Sequence, residues 1–215
     1  MSILKGGIFS KPSGKTGGIV FGAARTRTGK LVTARELVPP SNPNTPLQQT
    51  QRSKFKSALD LVRRIGADVY RSAWNRSVGQ LPGFQSMESI FLNQMAANKE
   101  ITLVNDINLG ILHSPDTITF DSTIVGHATA NFTSENGANG TENDQAVLIA
   151  IAKTDDDRQL ANGVKVDSGD IRSDESASVI GLKSGSTYEL YFYFVGKDSA
   201  SGLYSIAKHG SVVVA

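Results

Sequence analysis

The sequence predicts an α+β chain: a basic β-hairpin arm, a short helical segment, then an all-β sandwich in the C-terminal half. Three observations carry this. Apolar residues recur at helical spacing only between residues 46 and 95, and from residue 100 onward they come in short β-prone runs separated by Gly, Asn, Asp and Ser clusters. Charge is split in the same place. Residues 1–78 hold 14 Lys and Arg against three acids (Glu36, Asp60, Asp68), whereas residues 79–215 hold eight against 17, so a net charge of +2 hides a basic arm and an acidic body.

Taken in order, residues 1–41 are rich in Gly, Ser, Thr and basic residues, with β-prone runs at Ile19–Phe21 and Leu31–Val38 flanking a turn signal at Thr28-Gly29-Lys30. This reads as an arm with one hairpin. An isolated two-stranded hairpin is marginal in water, so a neighbouring subunit or the following helices are expected to order it, and a homo-oligomer follows as an expectation.

A proline-rich connector, Pro39-Pro40-Ser41-Asn42-Pro43-Asn44-Thr45-Pro46, which excludes helix and central strand, joins the arm to a second segment, residues 42–99. It ends as a helix start should, with Thr45 at the cap, Pro46 at the first helical position and Gln48 three residues after the cap. In this helix Phe55, Leu59 and Val62 are expected to pack, with Arg52, Lys56 and Arg63 on another side. A second helix is expected after Gly66 through Ala73 and Trp74, stopped by Leu81-Pro82-Gly83, and a third capped by Ser86 and running through Ile90, Phe91 and Met95.

In residues 100–215 the strand-like runs are Ile101–Val104, Thr117–Phe120, Ala128–Phe132, Ala146–Ala152, Val164–Val166, Ala177–Ile180, Tyr188–Val195 and Ser211–Val214. Tyr188–Val195 carries aromatics at both parities, as a strand packed on two faces would. Short strands at this spacing predict an antiparallel sandwich of immunoglobulin or fibronectin type, without the Cys and Trp landmarks of antibody domains.

Composition bounds the chemistry. The 215 residues contain no cysteine, which excludes disulfides, thiolate zinc sites and a Cys nucleophile and fits a reducing compartment. The N-terminus, MSILKGGIFSKPSGK, lacks the apolar core of a signal peptide, and no stretch reaches membrane-span length, so neither secretion by the standard signal nor a membrane partner is expected. Gly14-Lys15-Thr16 resembles the end of a phosphate-binding loop, but Phe9 occupies the position where the pattern needs glycine. His113, His127 and His209 stand apart in sequence and read as surface or strand residues rather than metal ligands or bases. Asp155-Asp156-Asp157 lacks the other ligands of a calcium loop and reads as a solvated hairpin turn. No Gly-x-Ser-x-Gly elbow is present. No catalytic residue, metal or cofactor is therefore assigned, and a non-enzymatic protein is expected.

The basic residues form the candidate site. Lys15, Arg25, Arg27, Lys30 and Arg35 in the arm, with Arg52, Lys56 and Arg63 on the helix, are expected to bind a partner; Lys54 and Arg64 add to the same positive set. Acidic protein surface, including the β domain of another copy, is the first reading. Nucleic-acid phosphate is the second, without base-specific recognition.

The Gly-rich start Ser13-Gly14-Lys15-Thr16-Gly17-Gly18, the run Asn42-Pro43-Asn44-Thr45-Pro46-Leu47-Gln48-Gln49-Thr50-Gln51-Arg52 followed by Phe55, and Ala73-Trp74 resemble an uncharacterised family of bacterial and prophage proteins of about this length. Asp144–Leu148 and Ser173–Ala177 are similar to its C-terminal half. The resemblance implies a phage structural component: an auxiliary capsid, neck or tail protein in the virion, contacting other virion proteins. A sequence-independent nucleic-acid-binding or genome-packaging protein is the alternative. A third, a hydrolase of cell-envelope glycans, needs two carboxylates brought together in a cleft.

Overall fold

A computed structural model of the chain describes residues 2–4, 14–16, 19–26, 29–36, 44–72, 83–104, 106–108, 110–135, 137, 139–197 and 202–215. The chain divides into two compact units, Met1–Thr45 and Pro46–Ala215.

The first unit is an antiparallel sheet of β1 (Ser2–Leu4), β2 (Gly14–Thr16), β3 (Ile19–Thr26) and β4 (Gly29–Glu36), in the order β1-β4-β3-β2. The expected hairpin is β3–β4. It closes with Thr26 opposite Gly29, so Gly29 and Lys30 belong to the strand and not to the turn read from the sequence. The unit is also more than a hairpin, because β1 and β2 pair along its two edges, and a third and fourth strand supply what two strands lack.

The second unit has three layers. Its centre is a five-stranded antiparallel sheet in the order β5-β12-β11-β8-β9, of β5 (Ile107–Asn108), β8 (Gln145–Ala152), β9 (Val164–Asp167), β11 (Thr187–Val195) and β12 (Ile206–Val213). On one face lies a three-stranded sheet, order β10-β7-β6, of β6 (Ile118–Asp121), β7 (His127–Phe132) and β10 (Ser176–Ile180). On the other lie α1 (Pro46–Ile65) and α3 (Gly83–Gln94). The short helices α2 (Ala67–Ser72) and α4 (Asp155–Gln159) complete the unit.

The residue pattern dictates the layering. In β8, Ala146, Leu148, Ala150 and Ala152 pack against the small sheet, whereas Val147, Ile149 and Ile151 belong to the core shared with Leu61, Val62, Ile65, Met87 and Phe91 of the helices. In β11 the split is Tyr188, Leu190, Phe192 and Phe194 against Tyr191 and Tyr193. Both strands are covered on two faces and so read as continuous apolar runs, whereas β7, at the outside, alternates buried with half-buried residues. Alanines at 128, 130, 146 and 150 leave room for interlocking rings: Phe132 packs 4.7 Å from Phe192 and edge-on to Phe194 at 5.2 Å. Gly210 makes room for Phe120 of the small sheet; a Cβ there would lie 2.2 Å from the ring.

Several element predictions are corrected here. Ile101–Val104 forms only a single bridge, Ile101 to Met95, while β5 and the first half of β12 were not expected. Helix α3 begins at Gly83, placing Ser86 inside the first turn and buried rather than at the cap; Pro82, just before it, suits a helix start as well as a stop. Residues 73–82, including Ala73 and Trp74, lie outside the described residues. Phe55 is 50 % exposed: the inward face of α1 is Ser57, Ala58, Leu61, Val62 and Ile65, a stripe centred on Leu61. Asp155-Asp156-Asp157 is the first turn of α4 and not a hairpin turn. Thr154 caps this helix by accepting from the Asp157 amide at 3.3 Å, and the three carboxylates lie at its positive end.

One end of the sandwich is closed by an ion pair with no solvent access. The Arg172 Nε donates to Asp144 Oδ2 at 3.2 Å, and the guanidinium also donates to the backbone carbonyls of Glu135 (2.6 Å) and His113 (2.9 Å) while lying 3.8 Å above the centre of the Phe194 ring. Asp144 accepts in addition from the Thr141 amide and hydroxyl and from the Lys197 amide.

Candidate docking surface

Helix α1 is locked on one side and open on the other. Beside the packed face the exposed Arg64 reaches across to α4, donating to the carbonyls of Arg158 (2.7 Å), Leu160 (2.9 Å) and Gln159 (3.1 Å), so it satisfies helix-end acceptors there and is directed away from the stripe of Arg52, Lys56 and Arg63. Ser57 donates to Asp155 at 2.5 Å. Burial works to raise the Asp155 carboxyl, but hydrogen bonds from Lys99 (2.8 Å) and Ser57 and the Arg158 charge outweigh it and hold the group below its ordinary value. Arg158 itself is buried, its guanidinium donating to the carbonyls of Lys99, Ala152 and Lys153; burial pulls its pKa down and Asp155 opposes that.

On the outward side Arg52, Lys56 and Arg63 are all exposed and fall on one stripe, about opposite the buried one. Arg63 lies 3.6 Å from Asp60, one turn away. Two grooves flank the stripe. One, of about 370 Å³, is bounded by Lys56, Asp60, Lys99 and Asp155. The other, of about 350 Å³, is lined by Gln51, Arg52, Phe55 and Leu92, so an exposed aromatic ring sits beside an arginine on a rigid helix. At the start of the same helix Leu47 is 81 % exposed. Aromatic rings and arginines are the side chains enriched at the centres of protein interfaces, because each buries a large area and a ring or a planar guanidinium packs and hydrogen-bonds in a defined geometry.

The arm residues are located by their backbone. Lys15 is in β2, Arg25 in β3, and Lys30 and Arg35 in β4; Arg25 is the register partner of Lys30, and Lys15 and Arg35 both align with Val20. Arg27 lies outside the described residues. Gly14-Lys15-Thr16, as strand β2, is extended and not a phosphate-binding turn.

Two histidines acquire acidic neighbours that sequence order does not reveal. His209 Nδ1 lies 3.0 Å from Asp106 Oδ1, and Lys208 Nζ is 3.1 Å from the other oxygen; burial works to raise Asp106, and these two hydrogen bonds outweigh it to keep it low. Ser211, on the same strand, donates to Glu189 at 3.2 Å. His113 Nε2 lies 3.9 Å from a carboxylate oxygen of Asp116 and of Glu135. The hydrogen bond and charge of Asp116 push Glu135 up, and one carboxylate oxygen of each lies within 4.8 Å of the other and of the imidazole.

No family model and no curated protein matches this chain. Among solved structures, the fibronectin type III domain of human collagen alpha-1(XX) chain is similar over 47 % of this chain and 83 % of that one, at 12 % identity and a TM-score of 0.35. A family 76 glycoside hydrolase from a bovine Bacteroides thetaiotaomicron strain is similar over 46 % of this chain, at 14 % identity and a TM-score of 0.31; the chain spans 20 % of that enzyme. Among the described residues, no helix is long and apolar enough to cross a membrane.

The basic stripe is marked in the sequence by its spacing, whereas the apolar component, Phe55 with Leu92, is not, since the helical period of Phe55 with Leu59 and Val62 points it to the core. Nothing local marks Arg64 as held by α4, whose carbonyls lie 94 to 96 residues away.

Proposed function

We propose that this chain is a non-enzymatic structural protein of a bacteriophage particle, an auxiliary capsid, neck or tail component. It docks on other virion proteins through its basic N-terminal half, displays its β-sandwich outward, and self-associates. The observation that supports docking is the outward face of α1, where Arg52, Lys56 and Arg63 line up beside Phe55 on a helix whose other face is fixed in the core. The phage setting, assembly in a host cytoplasm and residence in the virion rest on the resemblance of the Asn42–Arg52 run and its flanks.

We further propose that the sandwich is of the immunoglobulin and fibronectin class. Strands β6 to β12 divide as first, second and fifth against third, fourth, sixth and seventh, the immunoglobulin arrangement with its fourth strand moved to the opposite sheet. Tyr188, at the start of the sixth of these strands, accepts from the Lys183 amide at 3.1 Å and donates to the Asn162 carbonyl at 3.0 Å, the position and bonding of the tyrosine corner. Such modules commonly present binding loops on a stable frame.

The second reading, a sequence-independent nucleic-acid binder, uses the same cations. Asp60 beside Arg63 weighs against it, since the carboxylate reduces the charge that this part of the stripe offers to phosphate. The experiment is charge reversal at Arg52, Lys56 and Arg63 to Glu, scored by co-purification with assembled particles. Loss of co-purification is expected; full retention would remove α1 as the docking element.

A further inference from the structure

We propose that His113, Asp116 and Glu135 form a binding site for one divalent transition-metal cation, Zn²⁺ or Mn²⁺, at the end of the sandwich closed by Arg172. Each residue offers one ligand atom, and the three atoms lie within 4.8 Å of one another. The imidazole Nε2 stands 3.9 Å from an oxygen of each carboxylate. Ligand atoms around a tetrahedral cation at bond lengths of about 2.0–2.2 Å stand about 3.4 Å apart, so the imidazole nitrogen is roughly half an ångström from that separation to each carboxylate.

The imidazole separates this cluster from an ordinary acidic surface patch and also sets the metal class. Ca²⁺ and Mg²⁺ take all-oxygen shells, whereas a nitrogen with two carboxylates suits zinc and its neighbours. Two observations away from the ligand atoms show that the His113 ring and the backbone carrying His113 and Glu135 are held in place. Gly137 lies directly on the His113 ring: a Cβ there would fall 2.3 Å from Cγ and 2.7 Å from Nδ1, and its φ of +57° also favours glycine. The buried Arg172 guanidinium binds the backbone carbonyls of both His113 and Glu135, so one fixed group pins the two chain segments that carry the ligands. Support of this kind around a ligand set lowers the cost of assembling it. Access is open through a cleft of about 450 Å³ lined by His113 and Asp116, and three protein ligands leave a coordination position for water.

The test is calorimetric titration of the full chain with ZnCl₂, MnCl₂ and CaCl₂, with thermal unfolding measured alongside. One equivalent of Zn²⁺ or Mn²⁺ is expected to bind and to raise Tm, with Ca²⁺ weaker than both. His113→Ala should abolish this binding. Glu135→Gln, a near-isosteric change at an exposed position that leaves the fold intact, should weaken it by at least about tenfold, while His209→Ala, which removes the other acid-paired histidine, should leave it unchanged. Absence of binding to the wild-type chain, Ca²⁺ binding tighter than Zn²⁺ and Mn²⁺, equal affinity in Glu135→Gln, or loss in His209→Ala would each overturn the proposal.

Discussion

Arg172 and Asp144 are both 0 % exposed, and every polar atom of the pair finds a partner, so the charges are compensated where they sit. Removing one member leaves the other as an isolated buried charge. Arg172→Ala should therefore cost about 3–5 kcal/mol in denaturant-induced unfolding; a loss below about 1 kcal/mol would mean that water reaches Asp144. Glu189 is the opposite case. It is 2 % exposed, and burial raises its carboxyl above the ordinary 4.5, with Ser211, Lys153, Leu103 and His209 only partly opposing. The native state then holds a proton that the unfolded chain releases above that value, so stability falls as pH rises from 4.5 through the native pKa. Glu189→Gln should raise Tm at pH 7 and lose that advantage below pH 4.5; an equal gain at both pH values would contradict the burial account. Neither site was legible in the sequence. Arg172 meets groups at positions 113, 135 and 144, and nothing in the local sequence marks an arginine that will be brought to them by folding.

The elements were legible wherever burial imposes a pattern. β7 shows alternation, β8 from Ala146 and β11 from Leu190 are unbroken apolar runs, and α1 starts at Pro46 as its proline requires. What escaped follows from the same logic. β5 is two residues long, and β12 carries Lys208, His209 and Gly210 in its middle, where ion pairs to Asp106 and the Phe120 contact replace an apolar pattern. In α1 Val62 is buried and Leu59 half-buried as the periodicity requires, but Phe55 is exposed, because the inward stripe is centred on Leu61 and takes in the small residues Ser57 and Ala58. That division has a consequence for the charge-reversed helix. Arg52, Lys56 and Arg63 lie off the packed face, so the triple Glu variant should unfold within a few degrees of the wild type while losing its partner; a large drop in Tm would show the stripe to be structural instead.

For the whole molecule, the basic and acidic halves noted in the sequence map unevenly onto the fold. The four-stranded sheet carries Lys15, Arg25, Lys30 and Arg35, while α1, with Arg52, Lys56 and Arg63, is built into the same unit as the acidic β-sandwich. A chain that carries both signs on folded surfaces can pair with copies of itself through charge complementarity, which suits a lattice or ring component. A nucleic-acid binder built from the same cations has a different signature, an affinity that falls steeply with salt in proportion to the phosphates neutralised. Size-exclusion chromatography with light scattering on the purified chain, with and without duplex DNA at low and high salt, separates the two most directly. A discrete oligomer whose mass is unchanged by DNA is the result predicted; a monomer that shifts with DNA at low salt and not at high salt would contradict the structural role and establish the packaging alternative.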